Sequence, residues 1–151
     1  MGKPPDPMLR TGCLRRKGTT RLFALLLATM AAAGCYWTRY QALTETHLDL
    51  LTAYADKLAS YAETGRPATP AEWPEFTYPG ERAADFARIA GQRFEGRRSL
   101  TSLREAIAIY TELTRSPGIL VVPDAAAQVN LQRQRLREAV GRTRLALDGE
   151  S

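Results

Sequence analysis

Residues 22–33, Leu-Phe-Ala-Leu-Leu-Leu-Ala-Thr-Met-Ala-Ala-Ala, form an apolar run of 12 residues that decides where the rest of the chain can fold. Ahead of the run, residues 10–21 carry Arg10, Arg15, Arg16, Lys17 and Arg21 and no acid; Gly34-Cys35 closes it. A basic segment, a short apolar segment and a small-residue site are the three parts of a secretory signal. Positive charge resists translocation while the apolar run enters the bilayer as a short helix. Small side chains then let an extended backbone enter a peptidase cleft. The pattern predicts a cleaved leader over 1–34 and a domain over 35–151 outside the cytoplasm. An uncleaved anchor is the alternative. A spanning helix needs about 20 mainly apolar residues, commonly about 17–25, and Leu22–Trp37 supplies 16. Tyr36, Trp37 and Tyr40 would then form an interfacial aromatic belt. A cytoplasmic protein with a buried apolar helix is a third reading.

Charge follows the same division. The chain of 151 residues has a formal net charge of +5, which by itself would suggest nucleic acid or anionic lipid as a partner. Before Cys35, however, Lys3, Arg10, Arg15, Arg16, Lys17 and Arg21 face Asp6 alone, and this accounts for the whole excess. From Cys35 onward, 15 Lys/Arg balance 15 Asp/Glu. The body is neutral, and no nucleic-acid partner is expected. The two cysteines, Cys13 and Cys35, both lie outside the body, so it can hold neither a disulfide framework nor a Cys-based metal site.

Ala32-Ala33-Gly34-Cys35 resembles the lipobox of bacterial lipoproteins, a small-residue triplet before an obligatory Cys. The resemblance covers the leader only. It implies a diacylglyceryl thioether on the Cys35 sulfur, cleavage between Gly34 and Cys35, and N-acylation of the new terminus. The family prefers Leu where this chain has Ala32. Tyr36 rather than Asp after the Cys implies, by family analogy, the outer membrane in a diderm. Pro4, Pro5 and Pro7 lengthen the leader, and a start at Met8 would give it a more usual length.

The body reads as helical. Residues 36–62 contain no Pro or Gly, and Trp37, Tyr40, Thr44, His47, Leu51, Tyr54, Leu58 and Tyr61 recur at steps of three and four. That spacing aligns them on one helix face, with Leu43, Leu50 and Ala62 widening the stripe. Gly65 is the expected stop. A Pro-rich connection to Gly80 holds Trp73, Phe76 and Tyr78, and Thr69-Pro70-Ala71-Glu72 has the form of a capping box opening one helical turn. Three aromatics there point either to a loop pinned on the bundle or to an exposed contact surface. A second helix is expected over 81–95, with Ala83, Phe86, Ala87, Ala90 and Phe94 inward. A third is expected over 99–115, with Leu103, Ile107, Tyr110 and Leu113 inward and a second capping box at Ser102 and Glu105. Residues 119–122 predict an extended strap. Asp124 is the expected cap of a last helix reaching Leu147, with Val129, Leu136, Val140 and Leu147 inward. The expected fold is all-α: a small antiparallel bundle of about four helices with a Pro- and aromatic-rich loop.

Glu105 to Pro117 resembles the second helix of a tetratricopeptide repeat, with Ala106, Tyr110 and Leu113 at its small, aromatic and packing positions and Pro117 near its closing proline. Ile89-Ala90 stands where the partner helix of that family has Leu-Gly, with about four extra residues at the turn. The resemblance implies protein–protein interaction. A lone repeat, however, cannot form the family's grooved superhelix.

Chemistry-bearing motifs are scarce. His47 is the only histidine, and its same-face neighbours Leu43, Thr44, Leu50 and Leu51 are not metal ligands. A catalytic histidine needs a second positioned group. No nucleophile elbow, phosphate loop, dinucleotide fingerprint or metal motif occurs. The sequence predicts no enzyme, cofactor, metal or small-molecule substrate. Arg133, Arg135, Arg137, Arg142 and Arg144 make the last helix locally basic, either as a solvated face or as a contact for an acidic partner or anionic headgroups. The expectation is a lipid-anchored, periplasm-facing helical adaptor or accessory subunit of an envelope complex, or else an integral subunit held by residues 22–37. Its contact candidates are Tyr36, Trp37, Tyr40, Trp73, Phe76, Tyr78, Arg133, Arg137 and Arg144.

Overall fold

A computed structural model describes the backbone of residues 17–150 and the side chains from Gly34 to Glu150. Met8, Cys13 and most of the expected leader, including the side chains of the apolar run, lie outside the described residues. The chain divides into two units, Met1–Trp37 and Thr38–Ser151. The elements are α1 (Lys17–Thr64), α2 (Trp73–Phe94), α3 (Arg98–Leu113), a 3-10 turn (Pro117–Leu120) and α4 (Ala125–Gly149). The protein is all-α, with no strand among the described residues.

In the first unit the described backbone is helical, and Gly34, Cys35 and Tyr36 are exposed. Cys35 is a free thiol. Among the described residues, no helix is long and apolar enough to cross a membrane.

In the second unit, α1 buries Tyr40, Thr44, Leu48, Leu51, Ala55, Leu58, Ala59 and Ala62. The expected stripe is right in period but turned: Leu43 and Leu50 are exposed, and Leu48, Ala55 and Ala59 take the inward positions. His47, Tyr54 and Tyr61 form a half-buried flank toward α2. Gly65 ends the helix at φ +65°, where a Cβ would be strained. Gly65 N–H donates to the Ala62 carbonyl and Arg66 N–H to the Tyr61 carbonyl, a Schellman closure.

The Thr69–Glu72 capping box is present. Thr69 N–H donates to Glu72 Oε2 at 3.0 Å, and Glu72 N–H to Thr69 Oγ1 at 3.2 Å. It leads directly into α2, which begins at Trp73 rather than at residue 81. Pro74 costs nothing in the first turn, where its missing N–H would have no intrahelical partner. Pro79 lies inside the helix. The Phe76 carbonyl beside it accepts a 2.6 Å bond from Tyr110 Oη on α3.

α3 runs Arg98–Leu113, and the expected Ser102–Glu105 box does not form its start. Glu150, at the far end of α4, supplies the cap instead. Arg98 N–H donates to Glu150 Oε1 and Ser99 Oγ to Oε2, each at 2.6 Å. The expected strap over 119–122 is replaced by the 3-10 turn, closed by Gly118 N–H donating to Ser116 Oγ at 3.2 Å. Asp124 precedes α4 without a side-chain capping bond. Val129, Leu136, Val140 and Leu147 are buried as expected, joined by Ala125, Ala139 and Thr143.

The buried threonine hydroxyls are satisfied by carbonyls four residues earlier. Thr44, Thr114 and Thr143 donate to the carbonyls of Tyr40, Tyr110 and Ala139 at 2.8, 3.0 and 2.9 Å.

Candidate interaction surface

The sequence candidates separate by burial. Tyr40 and Phe76 are core residues, 2% and 0% exposed. The Tyr40 ring packs at 4.4 Å from Phe94, and its hydroxyl lies 3.3 Å from Ser99 Oγ. Because Ser99 Oγ donates to Glu150, Tyr40 Oη is the donor in that pair, and burial raises its pKa. Phe76 is surrounded by Tyr54, Tyr61 and Trp73 at ring-centroid distances of 6.4, 5.4 and 5.6 Å. The aromatic segment is therefore pinned onto the bundle. Only Tyr78 of that segment is well exposed, with the Arg82 guanidinium 5.8 Å from its ring centroid. Tyr36 is exposed and Trp37 half-buried.

Arg133, Arg137 and Arg144 of α4 reach carboxylates of α1. Arg144 Nε bonds Glu45 at 2.9 Å, and its NH2 bonds Asp49 at 2.7 Å. Arg137 holds both Asp56 oxygens at 2.9 and 3.1 Å, and Arg133 lies 3.7 Å from the same carboxylate. Asn130 Nδ2 donates to Glu63, and Gln41 Nε2 to the Leu147 carbonyl. As the α1 number rises from 41 to 63, the α4 number falls from 147 to 130, an antiparallel register. Arg142 pairs with Glu105 of α3 at 2.7 Å. The guanidinium of Arg144 is held charged by the adjoining carboxylates, Glu45 first. These pairs are 40–70% exposed at most contacts, a setting in which each contributes about 0–1 kcal/mol. Their larger effect is on register, since a slip would part the α4 arginines from the α1 carboxylates. No such use could be read from α4 alone, because the matching carboxylates sit some 80 to 100 residues earlier.

Of the large exposed apolar side chains beyond Thr38, Val121, Val122, Leu131 and Leu145 lie on or just before α4, and the others form a seam along α1 and α2. Phe86 of α2 stacks on His47 at 4.9 Å and lies 5.9 Å from Tyr40. Leu43 falls between those two α1 residues on the helix surface, and Leu50 lies two turns along. Ile89 follows Phe86 by one turn on α2. Leu43 is 39% exposed, Leu50 41% and Ile89 57%. With Tyr78 further along α2, they leave large apolar side chains in water on both helices of one pair. Leu43 and Leu50 were expected to widen the buried stripe, so sequence periodicity missed the α1 side of this seam. At its floor, His47 Nδ1 is buried with no hydrogen-bond partner, and burial, then Arg82, lowers its pKa.

The His47 ring faces Phe86, and Arg82 is the charged residue that acts on it. Among the described residues, no group of three or more His, Cys, Asp or Glu side chains is placed to hold a metal ion. An open depression between α2 and α3 is lined by Thr77, Gly80, Glu81, Ala84, Thr111, Thr114 and Arg115, without a nucleophile–base pair. No protein-family model, curated protein or solved structure matches the chain.

Proposed function

We propose that this protein is a lipid-anchored, periplasm-facing helical adaptor or accessory subunit of a cell-envelope complex, favouring the outer membrane. Cys35 carries the diacylglyceryl and N-acyl groups, and residues 1–34 are removed. The observation that supports this reading is the placement of Cys35. It is an exposed thiol directly behind the apolar run and three residues ahead of the neutral bundle that starts at Thr38. One lipid chain holds a protein only marginally, and stable anchoring takes two signals; a diacylated and N-acylated Cys35 supplies them. The α1–α2 seam of Leu43, Leu50, Tyr78 and Ile89 is the contact for the envelope partner, which covers it in the assembly. Fractionation of cells expressing Cys35→Ser tests the anchor. The variant is expected to keep its leader and to lose acyl labelling. Unchanged size with undiminished acyl labelling contradicts the reading.

The alternative, an integral subunit held by an uncleaved helix over residues 22–37, draws on one observation: the backbone is helical across those residues. It predicts an intact Arg21–Leu22 junction in the membrane-extracted protein.

A further inference from the structure

Thr38 enters the bundle at the end where three other termini meet. Tyr40 touches Phe94 at the close of α2, its hydroxyl reaches Ser99 at the start of α3, and Gln41 reaches Leu147 near the end of α4. Glu150 ties the last of these to Arg98 and Ser99. This end carries Arg39, Arg93, Arg97 and Arg98, all exposed. Its acids are fewer: Glu95 pairs with Arg104 through two 2.9 Å bonds, Glu150 caps α3 through neutral donors while its carbonyl accepts from Arg97 Nη1 at 3.4 Å, and Asp148 is exposed. A body that is neutral overall thus sets more arginines than acids on this end, with Arg39, Arg93, Arg97 and Arg98 beside Arg104 against Glu95, Asp148 and Glu150. The basic residues of α4 that sequence singled out lie mostly elsewhere, tied to α1 and α3.

We infer that this end, with Arg39, Arg93, Arg97 and Arg98, docks on anionic phospholipid headgroups and sets the bundle upright on the membrane. The inference rests on the lipid-anchor reading of Cys35. Only Tyr36 and Trp37 separate an acylated Cys35 from Thr38, and three residues span at most about 11 Å. At physiological salt that is comparable to the Debye length of about 8 Å, within which headgroup charge is felt. Cationic side chains held so close to an anionic surface are attracted to it. Arginine suits the task because its fork of donors pairs with phosphate oxygens. Docking by this end leaves the α1–α2 seam standing along the membrane normal, reachable by a partner from the side.

The test uses the full-length chain, expressed and matured in cells and purified in mild detergent. A mature chain acylated on Cys35 has no other cysteine, so a single introduced thiol takes a fluorophore uniquely. Gln92→Cys places it at the basic end and Pro67→Cys at the opposite end, both at exposed positions. The labelled protein is reconstituted into phosphatidylcholine vesicles with or without phosphatidylglycerol, and quenching by headgroup-labelled lipid is read. The expected result is strong quenching at Gln92→Cys that requires phosphatidylglycerol and fades at high salt, with little at Pro67→Cys. Arg39→Gln with Arg98→Gln is expected to weaken the docked population about 25-fold, at about fivefold per arginine, while Arg135→Gln leaves it unchanged. The salt series needs no arginine substitution, only the two labelled proteins, and so holds even if the double arginine variant misfolds. Equal quenching with and without phosphatidylglycerol, or equal quenching at both ends, overturns the docking. A Cys35 thiol that itself takes the label shows instead that the anchor reading has failed, and the docking falls with it.

Discussion

Tyr110 Oη donates to the Phe76 carbonyl at 2.6 Å, joining α3 to the first turns of α2 across 34 residues of sequence. Both side chains are fully buried, and burial raises the Tyr110 hydroxyl's pKa, so it stays a donor throughout the physiological range. The same ring fixes the next residue but three along α2. A Cβ on Gly80 would lie 3.0 Å from Tyr110 Cδ1 and 3.3 Å from Cε1.

That contact gives one substitution opposite signs at two helical glycines. Gly80→Ala gains about 1 kcal/mol of helix propensity but presses on a ring held at its hydroxyl, and overpacking costs about 1–3 kcal/mol. Gly141 in α4 has nothing within 4 Å of its Cβ position, so Gly141→Ala keeps the propensity gain. Denaturant midpoints are expected to fall for Gly80→Ala and to rise for Gly141→Ala. Two shifts of the same sign would contradict the close approach.

His47 makes stability depend on pH. Its folded pKa lies below the ordinary 6.5, chiefly through burial and then through Arg82. Above 6.5 the ring is neutral in both states and contributes no slope. Below 6.5 the unfolded chain takes up the proton more readily, so stability falls as pH drops toward the folded value. His47→Gln removes that segment of the curve. Denaturant melts at a series of pH values between 7 and 5, in wild type and variant, check this; parallel curves would refute it.

The α1–α4 ladder should be a modest stabiliser with a salt signature. Arg144→Ala deletes two exposed pairs and is expected to cost about 1 kcal/mol or less, shrinking further in 1 M salt. The same loss at low and high salt would mean that the arginine stem's packing, not its charge, matters.

Leu43→Glu and Ile89→Glu place charge on the exposed seam. Stability is expected to stay within about 0.5 kcal/mol, while any envelope partner recovered with the wild-type protein is lost. Retained partner with both variants combined would remove the seam from the interface.

Much of this fold was legible because its helices are amphipathic and their punctuation is chemically specific. The Thr69–Glu72 box, the Gly65 stop and the inward positions of α4 follow directly from residue type and spacing. Three features did not. Pro74, Pro79 and Gly80 read as breakers, yet Pro74 sits in the first turn and Gly80 is required by the Tyr110 ring, a tertiary demand invisible along the chain. On α1 the large aromatics at 40, 47, 54 and 61 suggested the centre of the seam. Their reach lets most of them serve from the flank, while alanines at 55, 59 and 62 occupy the tight inner positions. Glu150 capping α3 joins residues 52 apart, beyond any local motif. The candidate site suffered the same blindness. A run of arginines on α4 is visible in sequence, but the carboxylates that engage it, and the leucines left exposed on α1, depend on how the helices are registered.

Mass measurement of the N-terminal peptide from membrane-extracted protein tests the central claim most directly. A peptide beginning at Cys35 and carrying a diacylglyceryl group and an N-acyl chain is the result expected. A peptide spanning an intact Arg21–Leu22 junction, with an unmodified Cys35 thiol, would contradict it.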